Sequence, residues 1–388
     1  MQDAVLDGFS DTAVNAAMLP AGGVRIALTS PALRADVLAW LAKHALDICV
    51  SVEITGAHDA KFIHCRLLPQ LAERWTPGYD TVGVCAMLGL DGAANRADLV
   101  REILLAMLCG PVTFDFPSLD DWVSSVSMRC YIVAAARKTA LSFHTTEAER
   151  PRDCWTYNKG LGFTILPGHS LIESLRKATQ LEASGELYSF SCYRATEYVI
   201  LLGIAEEAQA THPALYTRLQ KQWETEAVQS GEFHEVFLRE YGSMEAPLPL
   251  RYFVPGDRTW FRNPDDASSD VIGYEGSWVM YLGGGLFTNF WKRDRPYTLE
   301  GKSLEIYHWR NATWRDAAGE LRMDESRVEA LIQESLQDEQ ACQRILAEML
   351  RLREPAGVYV DGGCIDTSRE YPRLVRPGSS DIVLPDAS

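Results

Sequence analysis

A cysteine at position 192 stands where the sequence could generate a reactive thiol. It lies in the stretch GELYSFSCYRATEYVILLGIAEEA (185–208), between a short aromatic run and a long apolar segment that predicts a buried helix. At the first turn of a helix the backbone N–H groups are unpaired and the helix dipole is positive, so a thiolate is favoured and the pKa of Cys192 is expected to fall. A free cysteine is also commonly a small buried hydrophobic residue, so this stretch alone leaves both interpretations open.

The elements that would position this thiol are helices followed by strands. Residues 248–310 are rich in aromatic and β-branched residues and predict antiparallel strands with Pro, Gly and Asn-Pro turns between them. A thiol at a helix N-terminus that faces such a sheet is the arrangement of papain-like cysteine enzymes. The expected fold is therefore α+β, with a papain-like core in which the nucleophile helix packs on an antiparallel sheet.

Further segments flank this core on both sides. Residues 1–109 alternate strand-like runs, 79–88 among them, with helical runs, which predicts a small α/β extension of unknown role. Residues 323–354 predict one amphipathic helix capped by Asp324, and the tail after residue 365 is expected to be loose. The predicted organisation is an extension over 1–109, a catalytic core over 110–310, and a C-terminal helix and tail over 311–388 that pack on the core.

The composition excludes several classes of protein. With 388 residues, 47% of them hydrophobic and 23% charged, the chain is expected to fold into a sizeable core. A net charge of −16 argues against a nucleic-acid partner and against a basic membrane-binding face. The nine cysteines are odd in number and lack a CxxC spacing, so neither a disulfide framework nor a zinc module is expected, and a reducing compartment is favoured.

Location is predicted from segments that the sequence lacks. No run of apolar residues is long enough for a membrane span. The first residues, MQDAVLDGFSDTAVNAAMLPAGG, show neither the basic region nor the apolar region of a secretory signal. The expected location is the cytoplasm, or the exterior by a secretion route that is independent of a signal peptide.

An ordered set of segments resembles a known family. The segments are PVTFDFPSL (111–119), RCYIVAAARKT (129–139), LGFTILPGHSLIESL (161–175), GELYSFSCYRA (185–195), FVPGDRTWFRNPD (253–265) and YEGSWVMYLGGGLFTNF (274–290). Together they resemble the spore-coat-type bacterial protein-glutamine γ-glutamyltransferases, or transglutaminases. The set includes the Phe-x-Cys that carries the nucleophile of that family and the Pro-Gly-Asp…Phe-x-Asn-Pro turn.

The resemblance implies a papain-like fold and a calcium-independent reaction without a cofactor or a metal. In this family a cysteine thiolate attacks the carboxamide of a protein glutamine, ammonia leaves, and a lysine or small amine takes the acyl group from the thioester. By the Phe-x-Cys match, Cys192 would be the nucleophile. The implied partners are a protein substrate bearing glutamine and an amine donor. If water replaces the amine, the product is a deamidated glutamine, and the sequence does not separate the two outcomes.

The sequence departs from the family at the expected catalytic partners. Ser191 stands where the family has a glutamate before the cysteine, and Ser277 replaces the glutamate of the family's Gly-Glu-Asn. The family's later Gly-His corresponds to Asn289-Phe290. Either other groups assist the thiol, or the chain is a non-catalytic binding protein on a degenerate transglutaminase scaffold.

Three residues could supply the missing assistance. Glu275 lies two positions before Ser277, so on a strand it would share a face with that serine, or it is an exposed carboxylate at a strand end. Asn289 could orient an imidazole or donate to an oxyanion, or it is a turn residue. His308, in EIYHWRNATW, is expected on a strand beside the nucleophile helix, where a neutral imidazole could act as base, or it packs between its aromatic neighbours.

The flanking segments suggest a use for the enzyme by analogy. An acidic enzyme with no recognisable signal and with such extensions could be a bacterial effector that a specialised secretion machine delivers, or an intracellular modifier. The extensions would then bind a partner or the delivery machinery.

Overall fold

The computed structural model describes residues 22–57, 60–143, 148–354 and 362–385. The segment assessed above for a secretory signal lies almost wholly outside these residues. Helices and antiparallel strands are mixed along the chain, so the expected α+β class is confirmed.

The first part of the chain builds a four-stranded sheet and its covering helices. Its elements are β1 (Gly23–Ala27), α1 (Leu33–Lys43), β2 (Val50–Ala57), β3 (Ala60–Leu67), α2 (Pro69–Trp75), α3 (Val84–Leu88), α4 (Arg96–Leu108) and β4 (Thr113–Phe116). The strand order is β2-β3-β1-β4, with β1 antiparallel to β3 and parallel to β4. The small α/β unit is therefore confirmed. The strand-like interpretation of 79–88 is wrong, because Val84–Leu88 forms a helix that ends at Gly89 in the left-handed conformation.

The middle of the chain is mainly helical and surrounds one buried helix. Its elements are α5 (Leu119–Lys138), β5 (Ser142–Phe143), β6 (Trp155–Asn158), β7 (Gly162–Ile165), α6 (Leu171–Thr179), α7 (Leu181–Ser184), β8 (Ser189–Phe190), α8 (Cys192–Thr211), α9 (Pro213–Thr225) and α10 (Ser230–Phe237). Helix α8 is buried over most of its length and packs on α5. At their contact a side chain on Gly203 would collide with Ile132, so the glycine permits the close approach of the two helices.

The last part of the chain completes a six-stranded antiparallel sheet. Its elements are β9 (Leu238–Tyr241), β10 (Arg258–Arg262), α11 (Asp266–Ser269), β11 (Gly276–Gly283), β12 (Leu286–Phe287), β13 (Tyr297–Thr298), α12 (Leu299–Trp309), β14 (Thr313–Arg315), β15 (Leu321–Met323), α13 (Glu325–Gln337), α14 (Glu339–Met349) and β16 (Arg369–Pro372). The order is β13-β12-β11-β10-β16-β9. Met280 and Leu282 of β11 share a hydrophobic cluster with α8, so the helix that begins at Cys192 packs on this sheet as expected.

Three predictions in the C-terminal half are wrong. The segment around His308 is the helix α12 and not a strand, because the Thr298 side chain accepts a hydrogen bond from the backbone N–H of Gly301 at 2.9 Å and starts a helix. The predicted single helix over 323–354 is broken at Asp338, whose side chain caps α14. The tail after residue 365 is not loose, since β16 inserts between β9 and β10.

The two sheets meet along a shared apolar core. Strand β4 follows the predicted boundary at residue 109 yet pairs with β1, and Trp40 of α1 packs edge-on against Trp122 of α5 at 4.5 Å between ring centroids. Glu102 of α4 accepts hydrogen bonds from the Gly284 N–H at 2.8 Å and the Tyr281 hydroxyl at 3.3 Å. A side chain on Gly283 would collide with this carboxylate. The division of the chain into domains stays a prediction.

Candidate active site

Cys192 is the first residue of helix α8, as the sequence predicts. The preceding residue, Ser191, is the N-cap, and its hydroxyl accepts a hydrogen bond from the backbone N–H of Arg194 at 3.3 Å. Ser191 therefore starts the helix that carries Cys192. The Cys192 side chain is half-buried, whereas six of the nine cysteines are buried.

The environment of the Cys192 sulfur acts on its pKa in two directions. Burial raises the pKa of Cys192, and this effect is the largest. Backbone hydrogen bonds from Trp278 and Tyr193 and the positive charge of Lys302 lower it, while the charge of Glu275 raises it. The net direction is upward, so the expectation of a lowered pKa is wrong: removal of the thiolate from water outweighs the helix N-terminus.

Cys192 lies between two cavities. The larger, of about 730 Å³, is lined by Cys192, Ser277 and Asn289 and by side chains of α12 and α13. The smaller, of about 430 Å³, is lined by Ser191, Cys192 and Glu275 together with a group of aromatic and aliphatic side chains. A substrate could reach the thiol from either side.

The smaller cavity is predominantly apolar. Trp260 and Trp278 stack at 6.2 Å between ring centroids, and Tyr193 meets Trp278 edge-on at 5.3 Å. Ile272 lines the same cavity and is 63% exposed. This surface offers flat apolar contacts next to the thiol.

The larger cavity contains a buried lysine. The Lys302 side chain is only 4% exposed, and its Nζ lies 3.2 Å from a carboxylate oxygen of Glu305. The same nitrogen lies 4.2 Å from the ring centroid of Tyr297 and 5.5 Å from that of Trp309. These contacts stabilise the ammonium by one ion pair and two cation–π interactions.

A buried ion pair supports the wall behind Cys192. The Arg258 guanidinium lies over the rings of Tyr193 and Trp278, at 4.9 Å and 4.7 Å from their centroids. Arg258 pairs with Glu370 of β16, and Glu370 accepts a hydrogen bond from His234 Nδ1 at 2.7 Å. The two side chains next to the thiol are therefore fixed from the C-terminal strand, a connection that no local sequence pattern indicates.

Two of the predicted partners line the cavities beside Cys192. Glu275 lies one residue before β11 and is exposed in the smaller cavity, whereas Ser277 faces the larger one, so the two do not share a cavity wall as expected. Asn289 lines the larger cavity, but its side chain accepts from the Lys292 N–H and donates to the Arg295 carbonyl, each at 3.1 Å. Those bonds form a turn and fix the orientation of the amide.

His308 is held by neighbouring helices. Its Nε2 lies 2.7 Å from the Ser335 hydroxyl of α13, and its Nδ1 lies 3.4 Å from the Asn311 amide. Burial and the charge of Arg310 lower the pKa of His308, so its ring is neutral at neutral pH. Its neighbour Trp309 lines the larger cavity. Both ring nitrogens of His308 are engaged between α12 and α13.

Lys302 is the residue at this site that the sequence predictions missed. The apolar residues Leu299, Ile306 and Trp309 have helical spacing after the capping residue Thr298, and this pattern predicts the helix that carries Lys302. The interpretation of this segment as a strand overlooked the pattern. A lysine on the buried face of such a helix needs a partner, and here that partner is Glu305.

Two other kinds of feature are absent from the described residues. No group of three or more His, Cys, Asp or Glu side chains among them could hold a metal ion. None of the helices in the described parts of the chain combines the length and apolar character that crossing a membrane requires.

The comparisons with known proteins define the class of this chain. The family model described as protein-glutamine gamma-glutamyltransferase matches residues 89–377, which is most of the chain. The chain therefore belongs to the protein-glutamine gamma-glutamyltransferase family, and the resemblance stated above is confirmed. The match extends beyond the predicted core of 110–310 at both ends.

The solved structures include a similar protein. The transglutaminase from Geobacillus stearothermophilus (without C-terminal extension) is 18% identical, with 55% of this chain and 98% of that chain covered and a TM-score of 0.37. No curated protein matches the chain. Membership of the family supports protein-glutamine acyl transfer as the general activity.

Proposed function

We propose that Cys192 is the nucleophile of an acyl transfer on protein glutamine side chains. The observation that carries the proposal is the position of this thiol at the start of helix α8, where both cavities meet, in a chain of the transglutaminase family. No other cysteine combines a helix N-terminus with two cavities in the described residues.

The reaction proceeds in two steps. The Cys192 thiolate attacks the carboxamide carbon of a substrate glutamine, the C–N bond breaks, and ammonia leaves with a proton, which forms a thioester. A lysine amine or water then attacks the thioester carbon, and the C–S bond breaks to regenerate the thiol. Both steps move a proton, so a group near the sulfur must accept it and return it.

Two charged groups act on the thiol. Lys302 favours the thiolate by its positive charge, and Glu275 is the carboxylate that lies beside Cys192 in the smaller cavity. We assign the proton transfer to Glu275 and the stabilisation of the thiolate to Lys302. His308 and Asn289, which the sequence also nominates, make structural contacts, and their participation stays a prediction.

The test is ammonia release from a mixture of glutamine-bearing proteins. We expect Cys192→Ala to abolish it and Glu275→Gln to reduce it on the order of 10²-fold or more, the usual effect of losing a general acid–base. His308→Ala should mainly lower the melting temperature, because it removes the bond to Ser335. Cys342→Ala is the matched control, since it removes another half-buried thiol.

The result identifies which part of the assignment fails. Turnover that persists in Cys192→Ala would contradict the nucleophile. A dead Cys192→Ala variant with full activity in Glu275→Gln would keep the nucleophile and reject the carboxylate as proton carrier. A large loss of rate in a stably folded His308→Ala variant would assign that role to the histidine instead.

A second candidate function is a binding protein on an inactive transglutaminase scaffold. Two observations favour it: the serines at 191 and 277 in place of family glutamates, and the raised pKa of Cys192, which reduces the thiolate fraction at neutral pH. Absence of turnover with a broad protein mixture, together with retained binding of glutamine-bearing proteins, would support this function.

The expectations on partners and location stay predictions. They are a protein substrate with glutamine and an amine, no nucleic acid, and a cytoplasmic location or signal-independent secretion. Delivery as a bacterial effector, with a binding partner or secretion machinery on the flanking segments, belongs with them. Fractionation of cells that express a tagged chain tests the location.

A further inference from the structure

The larger cavity already contains an ammonium, that of Lys302, in acidic and aromatic surroundings. A substrate lysine would bring a positive charge on a four-carbon stem, and such a group is held best by a carboxylate and aromatic faces. In this cavity Glu305, Tyr297 and Trp309 provide that environment, and the chain's own Lys302 occupies it.

The other carboxylates of the larger cavity are also engaged by neighbouring side chains, one by an ion pair and one by a hydrogen bond. Glu329 of α13 is bound by Lys292, and Glu325 accepts a hydrogen bond from the Tyr274 hydroxyl at 2.9 Å. With Glu305 they are the three carboxylates among the described residues that line this cavity. An incoming ammonium would therefore meet carboxylates that already have partners and three like charges, those of the two lysines and the arginine that line the cavity, whereas a neutral water molecule meets no such electrostatic cost.

We infer that water is the acyl acceptor of this enzyme and that its product is glutamate, because Lys302 fills the aromatic and acidic site that a substrate lysine would need. The inference rests on the proposed thioester at Cys192 and specifies its fate. Water adds to the thioester carbon, the C–S bond breaks, and one proton of the water returns to the sulfur while its oxygen stays in the new carboxyl group.

The experiment measures how the thioester divides between two products. The acyl donor is a protein mixture whose lysines have been dimethylated, and the acceptor is a biotin-labelled primary alkylamine in excess. Mass spectrometry counts glutamate and amine adduct at each glutamine. Because both products arise from the same thioester, their ratio does not depend on how fast the thioester forms, even if a Lys302 variant also weakens the thiolate.

We expect the wild type to form mainly glutamate. Lys302→Ala vacates the site, so the ratio of amine adduct to glutamate should rise about tenfold or more. A rise of about tenfold corresponds to an affinity for the amine that is about ten times higher. Lys302→Met removes the charge but keeps the bulk of the side chain, so a smaller rise in the ratio is expected. This variant still tests the inference if Lys302→Ala does not fold.

Lys292→Met is the matched control. It removes a positive charge from the same cavity but leaves the contacts of Lys302 with Tyr297 and Glu305 intact. If the ratio of amine adduct to glutamate rose as much in Lys292→Met as in Lys302→Ala, net charge would govern the ratio. That result would overturn the inference that Lys302 fills the amine site.

Other outcomes would overturn the inference directly. One is a wild type that forms mainly amine adduct. Another is a ratio of amine adduct to glutamate that is unchanged in both Lys302 variants. A third is an isopeptide bond formed on Lys302 itself. A ratio of amine adduct to glutamate that falls in Glu275→Gln, relative to wild type, would place the amine in the smaller cavity. A failure of the proposed function differs from all of these, because neither product would then form in a Cys192-dependent way.

Discussion

The Cys192 thiol combines a position that activates it with an environment that suppresses its ionisation. The helix N-terminus, two backbone hydrogen bonds and the charge of Lys302 favour the anion, yet burial outweighs them and the pKa is raised. A thiol of this kind is a stronger nucleophile once ionised, but few molecules are ionised at neutral pH.

The raised pKa predicts how the reactivity of Cys192 depends on pH. Below the pKa, raising the pH by one unit increases the thiolate fraction about tenfold. Alkylation of Cys192 and ammonia release should therefore both rise steadily from about pH 7 to about pH 9. Brief iodoacetamide treatment followed by mass spectrometry measures the first, and an ammonia assay over the same range measures the second.

The other cysteines are internal controls for this prediction. Burial raises the pKa of Cys65, Cys109 and Cys364 to about 12, so these thiols should label slowly throughout. Cys192 should label ahead of the half-buried Cys49 and Cys342 because two cavities give the reagent access to it. A flat pH profile, or faster labelling of several other cysteines at neutral pH, would contradict the assignment.

At the scale of elements, strand β16 joins the sheet to the site. Its Glu370 binds Arg258 of β10 on one side and His234 of α10 on the other. The Arg258 side chain is 1% exposed, so without Glu370 it would be a buried cation lacking its counterion.

We therefore expect Glu370→Gln to destabilise the protein by about 3 kcal/mol or more, the typical effect of removing one partner of a buried ion pair. Urea unfolding followed by tryptophan fluorescence measures the change. Glu235→Gln is the control, because Glu235 is exposed on α10 and should alter stability by less than about 0.5 kcal/mol. Equal effects of the two substitutions would contradict this account of β16.

The same ion pair predicts a pH window for stability. Burial alone would raise the pKa of Glu370, but the His234 hydrogen bond and the Arg258 charge outweigh it and lower that pKa. Its contribution is present above about pH 4.3 and is lost as the pH falls through the lower folded pKa. The pKa of His234 is raised, chiefly by its bond to Glu370, so its contribution is full below about pH 6.5 and fades above the folded pKa. The difference in stability between wild type and Glu370→Gln should be largest between these limits.

Elements defined by local signals were predictable, and those defined by distant contacts were not. The start of α8 at Cys192 and the strand and helix of 111–138 follow from caps and periodicity, which act within a few residues. Strand β16 contains Pro372 and two charged residues, and it forms by pairing with β9 and β10, which are distant in the sequence. For the same reason the place of Cys192 at the start of a helix could be predicted from the sequence, whereas the contacts of Lys302 could not.

At the scale of the whole molecule, the two sheets share one apolar core. Deleting residues 1–109 would remove β1, the pairing partner of β4, and would expose Trp122 and its neighbours. We expect residues 110–388 alone to be insoluble or to lack cooperative thermal unfolding, which calorimetry and gel filtration would measure.

Complementation gives the control for the truncation. When residues 1–109 and 110–388 are produced together as two chains, the shared core should reassemble and ammonia release should return. A fragment of 110–388 that melts as cooperatively as the full chain would contradict the shared-core account and would support a separable extension.

The contact between Glu102 and the turn at Gly283 and Gly284 predicts where inactivating substitutions will fall along the chain. In a random-mutagenesis screen for inactive clones, substitutions at Glu102 and Gly283 should be recovered beside those at Cys192, although neither residue lines a cavity that contains the thiol. Melting temperatures would separate the two groups, because clones altered at Cys192 keep the wild-type value and clones altered at the turn fall below it. Inactivating substitutions would therefore fall at the contact between the two sheets as well as around the Cys192 sulfur.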